Sequence, residues 1–119
     1  MNAISATDAG PDRGIDSLLG TALGIVRNPS IPDLTLRQIS VLLRVYTSRI
    51  PQTVKALSAD LGVPKPAISR ALDRLTACGL VARRHDPCDR RIVYASRTQN
   101  GGDFVRSLSS IVASAGEAL

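Results

Sequence analysis

The segment from Thr53 to Gly79 restricts the fold more than any other part of this sequence. Thr53 can cap a short helix that ends at Leu61-Gly62. Pro64 and Pro66 suit the first turn of a second helix, where a missing N–H costs no hydrogen bond. The apolar residues of this second helix recur at helical spacing, at Ile68, Ala71, Leu72 and Leu75. Two short helices joined by a glycine turn predict a helix-turn-helix motif.

Two strand-like runs follow the second helix. Residues 80–84 and 91–95 carry β-branched side chains, and the segment His85–Arg90 between them is rich in turn formers. This pattern predicts a β-hairpin whose tip is crowded with charged residues.

Two amphipathic helices are predicted before the helix-turn-helix. Apolar residues recur at helical spacing across residues 15–26, and Asn28-Pro29 closes this first helix. Thr35 and Gln38 form a capping box, so a second helix starts here and runs to about Arg49.

A last amphipathic helix is predicted at the C-terminal end of the sequence. Thr98 can cap it, and its apolar stripe spans residues 104–115. Gly101-Gly102 weakens its first turn, so the helix starts either near Thr98 or at Asp103. At the other end, residues 1–12 are small and polar, which predicts a flexible tail.

The excess of positive charge is confined to one part of the sequence. The whole chain has 15 Lys and Arg against 10 Asp and Glu, a net charge of +5. Residues 65–97 hold eight basic residues against three acidic ones, so the other residues are together neutral. The basic residues are Lys65, Arg70, Arg74, Arg83, Arg84, Arg90, Arg91 and Arg97. Such a local excess is typical of a phosphate-binding face, although a solvated basic surface that maintains solubility has the same charge.

Length and composition exclude several classes of protein. A chain of 119 residues with 44% hydrophobic residues predicts one globular domain. It has no apolar run near the roughly 20 residues that a membrane span needs, and no secretory signal, so we expect a cytoplasmic protein without a membrane partner. One histidine and two cysteines are too few for a zinc site, and neither a catalytic set nor a Gly-rich phosphate loop is present. We therefore expect no metal, no cofactor and no enzyme activity.

The second helix of the motif and the hairpin tip together match a known pattern. The run Ser69-Arg70-Ala71-Leu72-Asp73-Arg74-Leu75 is followed by Asp86-Pro87-Cys88-Asp89-Arg90-Arg91 in the hairpin. This pair of motifs resembles the MarR (multiple antibiotic resistance regulator) family over roughly Thr35 to Thr98, more than half of the chain. The sequence departs from the family at Arg97, where the family usually has a leucine.

The resemblance implies a mainly α fold with a small β-hairpin wing (α+β). In this fold, a winged helix-turn-helix is flanked by N- and C-terminal dimerisation helices. The resemblance places the dimerisation helices at residues 13–28 and 98–119 and the DNA-binding lobe at residues 35–97, all within a single domain of residues 13–119.

The resemblance also implies a function. The recognition helix would enter the major groove of double-stranded DNA, and the wing tip would reach the adjacent minor groove. We therefore expect a sequence-specific transcriptional regulator, a repressor that acts as a homodimer on a pseudo-palindromic operator. The alternative is a winged-helix module that binds another protein and binds DNA weakly or not at all. The eight basic residues of helix and wing argue against this alternative.

The expected DNA-binding residues lie on the recognition helix and in the wing. They are Lys65, Pro66, Ser69, Arg70, Arg74, Arg84, Arg90 and Arg91. Arg91 matches the arginine that the family inserts into the minor groove. Asp73 and Asp89 would be repelled by phosphate, so we expect them to orient wing arginines through paired hydrogen bonds. The alternative for both is ordinary helix or turn chemistry.

Two kinds of effector response are also candidates. Some family members release DNA when a small molecule binds, and the candidate pocket residues here are Leu19, Leu23, Leu42 and Tyr46, which at this spacing also suit a plain core. Others sense oxidants through cysteine. Cys88, beside basic wing residues, is the more reactive candidate, whereas Cys78 also suits a buried small hydrophobe.

Overall fold

The computed structural model describes residues 9–117, which fold into five helices and three strands. The helices are α1 (Ala9–Val26), α2 (Leu36–Thr47), α3 (Val54–Leu61), α4 (Lys65–Ala77) and α5 (Gln99–Glu117). The strands are β1 (Gln52–Thr53), β2 (Val81–His85) and β3 (Val93–Arg97). This mainly helical structure with one small sheet confirms the predicted fold class, a winged helix-turn-helix.

The N-terminal end differs from the prediction of a flexible tail over residues 1–12. Residues 1–8 lie outside the described residues, and residues 9–12 are helical because α1 begins at Ala9 rather than at residue 13. Pro11 falls in the first turn of α1, where its missing N–H leaves no intrahelical hydrogen bond unmade.

The described residues form two compact units rather than the single domain that we predicted for residues 13–119. The winged-helix unit is continuous, from Leu34 to Val105, and contains α2, α3, α4, the sheet and the start of α5. The terminal unit combines the described residues up to Asp33 with those from Arg106 on, and contains α1 and the rest of α5. The winged-helix unit covers the lobe predicted for residues 35–97 and adds the first residues of α5.

The helix ends in the winged-helix unit form as the sequence predicts. The Thr35 hydroxyl accepts a hydrogen bond from the Gln38 N–H (3.1 Å), and the Gln38 side chain accepts one from the Thr35 N–H (2.8 Å). The Thr53 hydroxyl caps α3 by accepting from the N–H of Ala56 (3.1 Å). Gly62 ends α3 with φ +66°, a left-handed conformation that a side chain disfavours. The two threonines therefore set the starts of α2 and α3, and Gly62 sets the turn between α3 and α4.

The core of this unit lies under one side of α4. Ile68, Leu72 and Leu75 of α4 are between 0 and 2% exposed. They belong to one cluster with buried residues of α2, α3 and the sheet, which are Val41, Leu42, Val45, Leu57, Leu80, Val81 and Ala95. Burial of this stripe fixes the rotation of α4 about its axis.

The sheet has three antiparallel strands in the order β1-β3-β2. Strands β2 and β3 form the predicted hairpin, with Val81 opposite Arg97 and His85 opposite Val93. Strand β1 was not predicted, because Gln52 and the residue after it have no strand pattern of their own and pair only with β3.

A hydroxyl group of α2 joins three elements of the unit. The Tyr46 hydroxyl donates to the carbonyl of Leu80 (2.7 Å) and accepts from the N–H of Thr98 (2.9 Å). A Cβ at position 101 would overlap both the Tyr46 hydroxyl and the Leu80 carbonyl oxygen. Gly101 therefore permits this close approach, and α5 begins at Gln99 rather than at the alternative start.

Arg97, the residue that departs from the family pattern, holds the end of α2. Its guanidinium donates to the carbonyls of Val45 (3.2 Å) and Ser48 (2.6 Å) and lies over the Tyr46 ring, 5.7 Å from its centre. A cation at a helix C-terminus satisfies carbonyls that have no partner within the helix. The arginine thus binds polar groups where a leucine would make apolar contacts.

We predict that Gly101→Ala destabilises the protein by about 2 kcal/mol or more, because a methyl group has no space beside the two oxygens. Urea unfolding followed by circular dichroism measures the loss. Gly116→Ala, in the same helix but with nothing within 4 Å of its added Cβ, is the control and should be neutral or slightly stabilising. Equal stability of the two variants would contradict the close packing of Tyr46 against α5.

Candidate nucleic-acid interface

The outward side of α4 carries five of the predicted DNA-binding residues. Lys65, Pro66, Arg70 and Arg74 are exposed and Ser69 is half-buried. Among the described residues, neither Lys65 nor Arg70 forms an ion pair. Their positive charges are therefore available to a phosphate or to a base edge.

Asp73 connects α4 to the wing. Its carboxylate lies 2.6 Å from Nη1 of Arg83 in β2, and Nη2 of the same arginine donates to the carbonyl of Ser69 (3.1 Å). The pair is exposed, so its contribution to stability is small, about 1 kcal/mol or less. Asp73 thus does contact a wing arginine, but that arginine is Arg83, which was not among the predicted site residues.

Asp89 forms a two-point contact with Arg91 at the wing tip. Its carboxylate oxygens accept from Nε and Nη2 of Arg91, each at 3.0 Å, and Oδ1 also accepts from the Arg91 backbone N–H (3.1 Å). The hydrogen bond from the Arg91 side chain lowers the pKa of Asp89, and the same bond raises the pKa of Arg91. The Arg91 side chain is 90% exposed, and this carboxylate is its ion-pair partner among the described residues.

Asp86, which was not among the predicted site residues, organises the turn. Its Oδ1 accepts from the backbone N–H groups of Cys88 (2.8 Å) and Asp89 (3.0 Å), and its Oδ2 accepts from the Tyr94 hydroxyl (3.0 Å). The bonds from these two N–H groups, first that of Cys88, lower the pKa of Asp86, whose carboxylate raises the pKa of Tyr94. An aspartate that binds a backbone N–H two residues later forms an Asx turn, and the sequence Asp-Pro-Cys contains that signal.

The remaining predicted wing residues, Arg84 and Arg90, are exposed. Among the described residues neither forms an ion pair. His85 lies beside Arg90: its ring Nδ1 is 2.8 Å from the Arg90 carbonyl oxygen, and because a carbonyl only accepts, Nδ1 is the donor. The wing therefore presents two unpaired guanidiniums next to the oriented Arg91.

The four candidate pocket residues are not alike. Leu42 is fully buried in the core, and Tyr46 is half-buried with its hydroxyl bonded. Leu19 is 53% exposed and Leu23 is half-buried, both in α1 of the terminal unit. Leu42 and Tyr46 thus also serve the core of the winged-helix unit.

A different cleft lies within the winged-helix unit. It has a volume of 630 Å³ and is bounded by the end of α2, the segment that leads to β1, and one face of the sheet. Tyr46 lines it together with Tyr94 and three arginines, which are Arg49, Arg84 and Arg97.

The two cysteines differ in environment. Both are free thiols; Cys78 is half-buried and packs against the core, whereas Cys88 is exposed in the wing turn. Across residues 9–117 no group of three His, Cys, Asp or Glu side chains is arranged to hold a metal ion. Within the same range no helix is long and apolar enough to cross a membrane.

Comparison with known proteins supports one family. A sequence model of the MarR family matches residues 33–92, half of the chain. The chain is 30% identical over 74 residues to YkoM, an uncharacterized HTH-type transcriptional regulator of Bacillus subtilis. That match covers 62% of this chain and 47% of YkoM, so the chain spans about half the length of this curated relative.

Solved structures share the fold. CouR from Rhodococcus jostii RHA1, bound to p-coumaroyl-CoA, is 26% identical with a TM-score of 0.66, over 86% of this chain and 68% of CouR. A mutant of S. aureus MepR bound to an oligodeoxyribonucleotide is 18% identical with a TM-score of 0.82, over 97% of this chain and 81% of MepR. The fold is that of a winged-helix regulator, and the chain belongs to the MarR family. This membership confirms the family resemblance that the helix and hairpin motifs predicted.

The lowered pKa values of the wing carboxylates predict that the structural order of the wing depends on pH. Because the pKa values of Asp86 and Asp89 are lowered in the folded wing, their hydrogen bonds stabilise it at neutral pH. This stabilisation decreases below about pH 4 and is lost when the carboxylates become protonated. The amide NMR signals of Cys88, Asp89 and Arg91 should therefore shift, and their protection from hydrogen exchange should decrease, as the pH falls through this range.

The amide of Ala56 provides the internal control for this titration. It is bonded to the Thr53 hydroxyl, which does not titrate, so its signal should stay unchanged while those of the wing change. Simultaneous change of all these signals would indicate global unfolding and contradict a local effect of the wing carboxylates.

Proposed function

We propose that this protein is a transcriptional repressor that binds a specific sequence of double-stranded DNA. In this proposal α4 reads the major groove and the wing inserts Arg91 into the adjacent minor groove. The observation that carries it is the position of the charge. The whole net charge of +5 lies in residues 65–97, and basic side chains of this segment are exposed on α4 and at the wing.

Two further observations support this proposal. Asp73 and Asp89 lie on the basic surface, but each contacts an arginine, so each carboxylate orients a cation as well as repelling phosphate. The MepR mutant that shares the fold was solved with an oligodeoxyribonucleotide bound. Because DNA is the expected site of action, we also propose a cytoplasmic location.

We predict that Arg70→Ala lowers the affinity for the selected operator about tenfold, because an arginine at a base edge or a phosphate is lost. Selection from a random DNA pool supplies the operator, and mobility shifts across a salt series measure affinity. Arg37→Ala is the matched control: it removes the same charge from an exposed residue of α2, outside the predicted DNA-binding residues and the predicted dimerisation helices, and should change affinity less than about twofold. Equal operator affinity of the two variants, or DNA binding that does not depend on salt, would favour the alternative function, a winged-helix module that binds another protein.

We further propose that the protein acts as a homodimer. The terminal unit leaves large apolar side chains exposed, which are Ile15, Leu18, Leu19, Val26 and Val112. A second copy of the chain can cover such side chains, and a twofold dimer suits a pseudo-palindromic operator with half-sites about 34–36 Å apart. The predicted dimerisation helices at residues 13–28 and 98–119 contain all five residues.

We predict that Leu18→Glu converts a dimer into a monomer at micromolar concentration, because a charge replaces an apolar side chain that is 65% exposed in one copy. Sedimentation velocity measures the change. Ile50→Glu, at an apolar residue that is 68% exposed in the winged-helix unit, is the control and should remain a dimer. A wild-type monomer under the same conditions would contradict the homodimer.

Release by a small molecule belongs to the same proposal. CouR, which shares the fold, was solved with p-coumaroyl-CoA bound. The predicted pocket of Leu19, Leu23, Leu42 and Tyr46 remains a hypothesis, and full burial of Leu42 means that a ligand there must displace core packing. The 630 Å³ cleft offers open space beside Tyr46 without that displacement. Oxidation of Cys88, which is exposed, remains the alternative trigger.

A further inference from the structure

The tip of the wing is held by hydrogen bonds that follow one another from β3 to Arg91. The Tyr94 hydroxyl donates to Oδ2 of Asp86, and Oδ1 of Asp86 accepts from the N–H of Asp89. The Asp89 carboxylate then accepts from both Nε and Nη2 of Arg91. An exposed guanidinium is thus connected, through two carboxylates, to a half-buried tyrosine of the sheet.

This connection matters because few other contacts restrain the tip; one of them is the bond from His85 Nδ1 to the Arg90 carbonyl. The turn residues Pro87, Cys88 and Arg90 are exposed, so apolar packing supplies little to its shape. The turn has two backbone bonds of its own, from Asp86 N–H to the Ile92 carbonyl (2.9 Å) and from Ile92 N–H to the Asp89 carbonyl (3.0 Å). The carboxylate of Asp86 adds a bond to the N–H of Asp89, the residue whose side chain binds Arg91.

We propose that Tyr94 and Asp86 are positioning residues for Arg91, and that the Tyr94 hydroxyl holds the Asp86 carboxylate so that the wing presents the Arg91 guanidinium in one orientation before DNA arrives. The inference rests on the proposed function and adds to it a determinant of minor-groove recognition. A group oriented in advance loses less conformational freedom on binding, which raises affinity without a new contact.

Tyr94 suits this role in two ways. It lies in β3 opposite Arg84, within the three-stranded sheet, so its ring is anchored on a regular element rather than in the turn. Its bond to the Asp86 carboxylate raises the pKa of its hydroxyl, so the group stays protonated and donates at neutral pH.

Tyr94→Phe tests the proposal, because it removes one hydroxyl and keeps the ring. Affinity is measured for two DNAs that carry the same selected half-sites but have either A·T-rich or G·C-rich sequence at the position of the wing. Narrow A·T-rich minor grooves attract an inserted arginine, so the wild type should prefer the A·T-rich DNA. Tyr94→Phe should lower the affinity for the A·T-rich DNA about three- to tenfold, which corresponds to the loss of one hydrogen bond. It should change the affinity for the G·C-rich DNA less.

The double variant Tyr94→Phe with Arg91→Ala separates positioning from general stability. If Tyr94 acts through Arg91, its substitution has no further effect once the arginine is gone. Ser96→Ala is the matched control, because it removes another hydroxyl hydrogen bond of the same strand, to the Ala82 carbonyl at the base of the hairpin. It should leave the preference between the two DNAs unchanged.

The outcomes distinguish the proposal from the function on which it rests. A Tyr94→Phe protein that keeps the wild-type preference, or whose effect adds fully to that of Arg91→Ala, would overturn the positioning role alone. An Arg91→Ala protein that binds both DNAs like the wild type would overturn the proposed minor-groove contact itself. In free protein, Tyr94→Phe should shift the NMR signals of Arg91 Nε–H and Asp89 N–H, and unchanged signals would overturn the connection whatever the DNA results.

Discussion

The structure depends first on the burial of one side of α4. Ile68, Leu72 and Leu75 are between 0 and 2% exposed, and α2, α3 and the sheet supply the apolar surface that covers them. A helix has 3.6 residues per turn, so burial of this stripe leaves Lys65 and Arg70 on the outward side. The same packing that stabilises the winged-helix unit therefore decides which basic side chains are available to DNA.

The wing obtains its shape in a different way. Its turn exposes most of its side chains, and hydrogen bonds to carboxylates replace the missing apolar contacts. Asp73, Asp86 and Asp89 each bind a donor in the wing, which explains why acidic residues are present on a surface proposed to meet phosphate. Each lowers the net positive charge slightly, but each also bonds an arginine side chain or the turn that carries one. Orientation and charge thus act together on this surface.

Much of the fold follows from local patterns in the sequence. The capping box at Thr35, the glycine turn at Gly62 and the hairpin are all signals that involve residues close together in the chain. Strand β1 was not predicted, because it forms only through its pairing with β3. The early start of α5 was left open because Gly101 weakens a helix in isolation, whereas here its missing side chain leaves space for the Tyr46 hydroxyl.

The sequence by itself determined the helix-turn-helix, the hairpin, the location of the net charge and the family. Only the tertiary structure decided which groups the polar side chains bind when the partners are far apart in the chain. Arg83 reaches the carbonyl of Ser69 across 14 residues of chain, and the N–H of Thr98 reaches Tyr46 across 52. Helical and strand periodicity report on the next few residues alone, so such partners stay hidden until the elements pack. That is why the partners of Arg83 and Tyr94 were not predicted, whereas the Asx turn at Asp86 is a local signal.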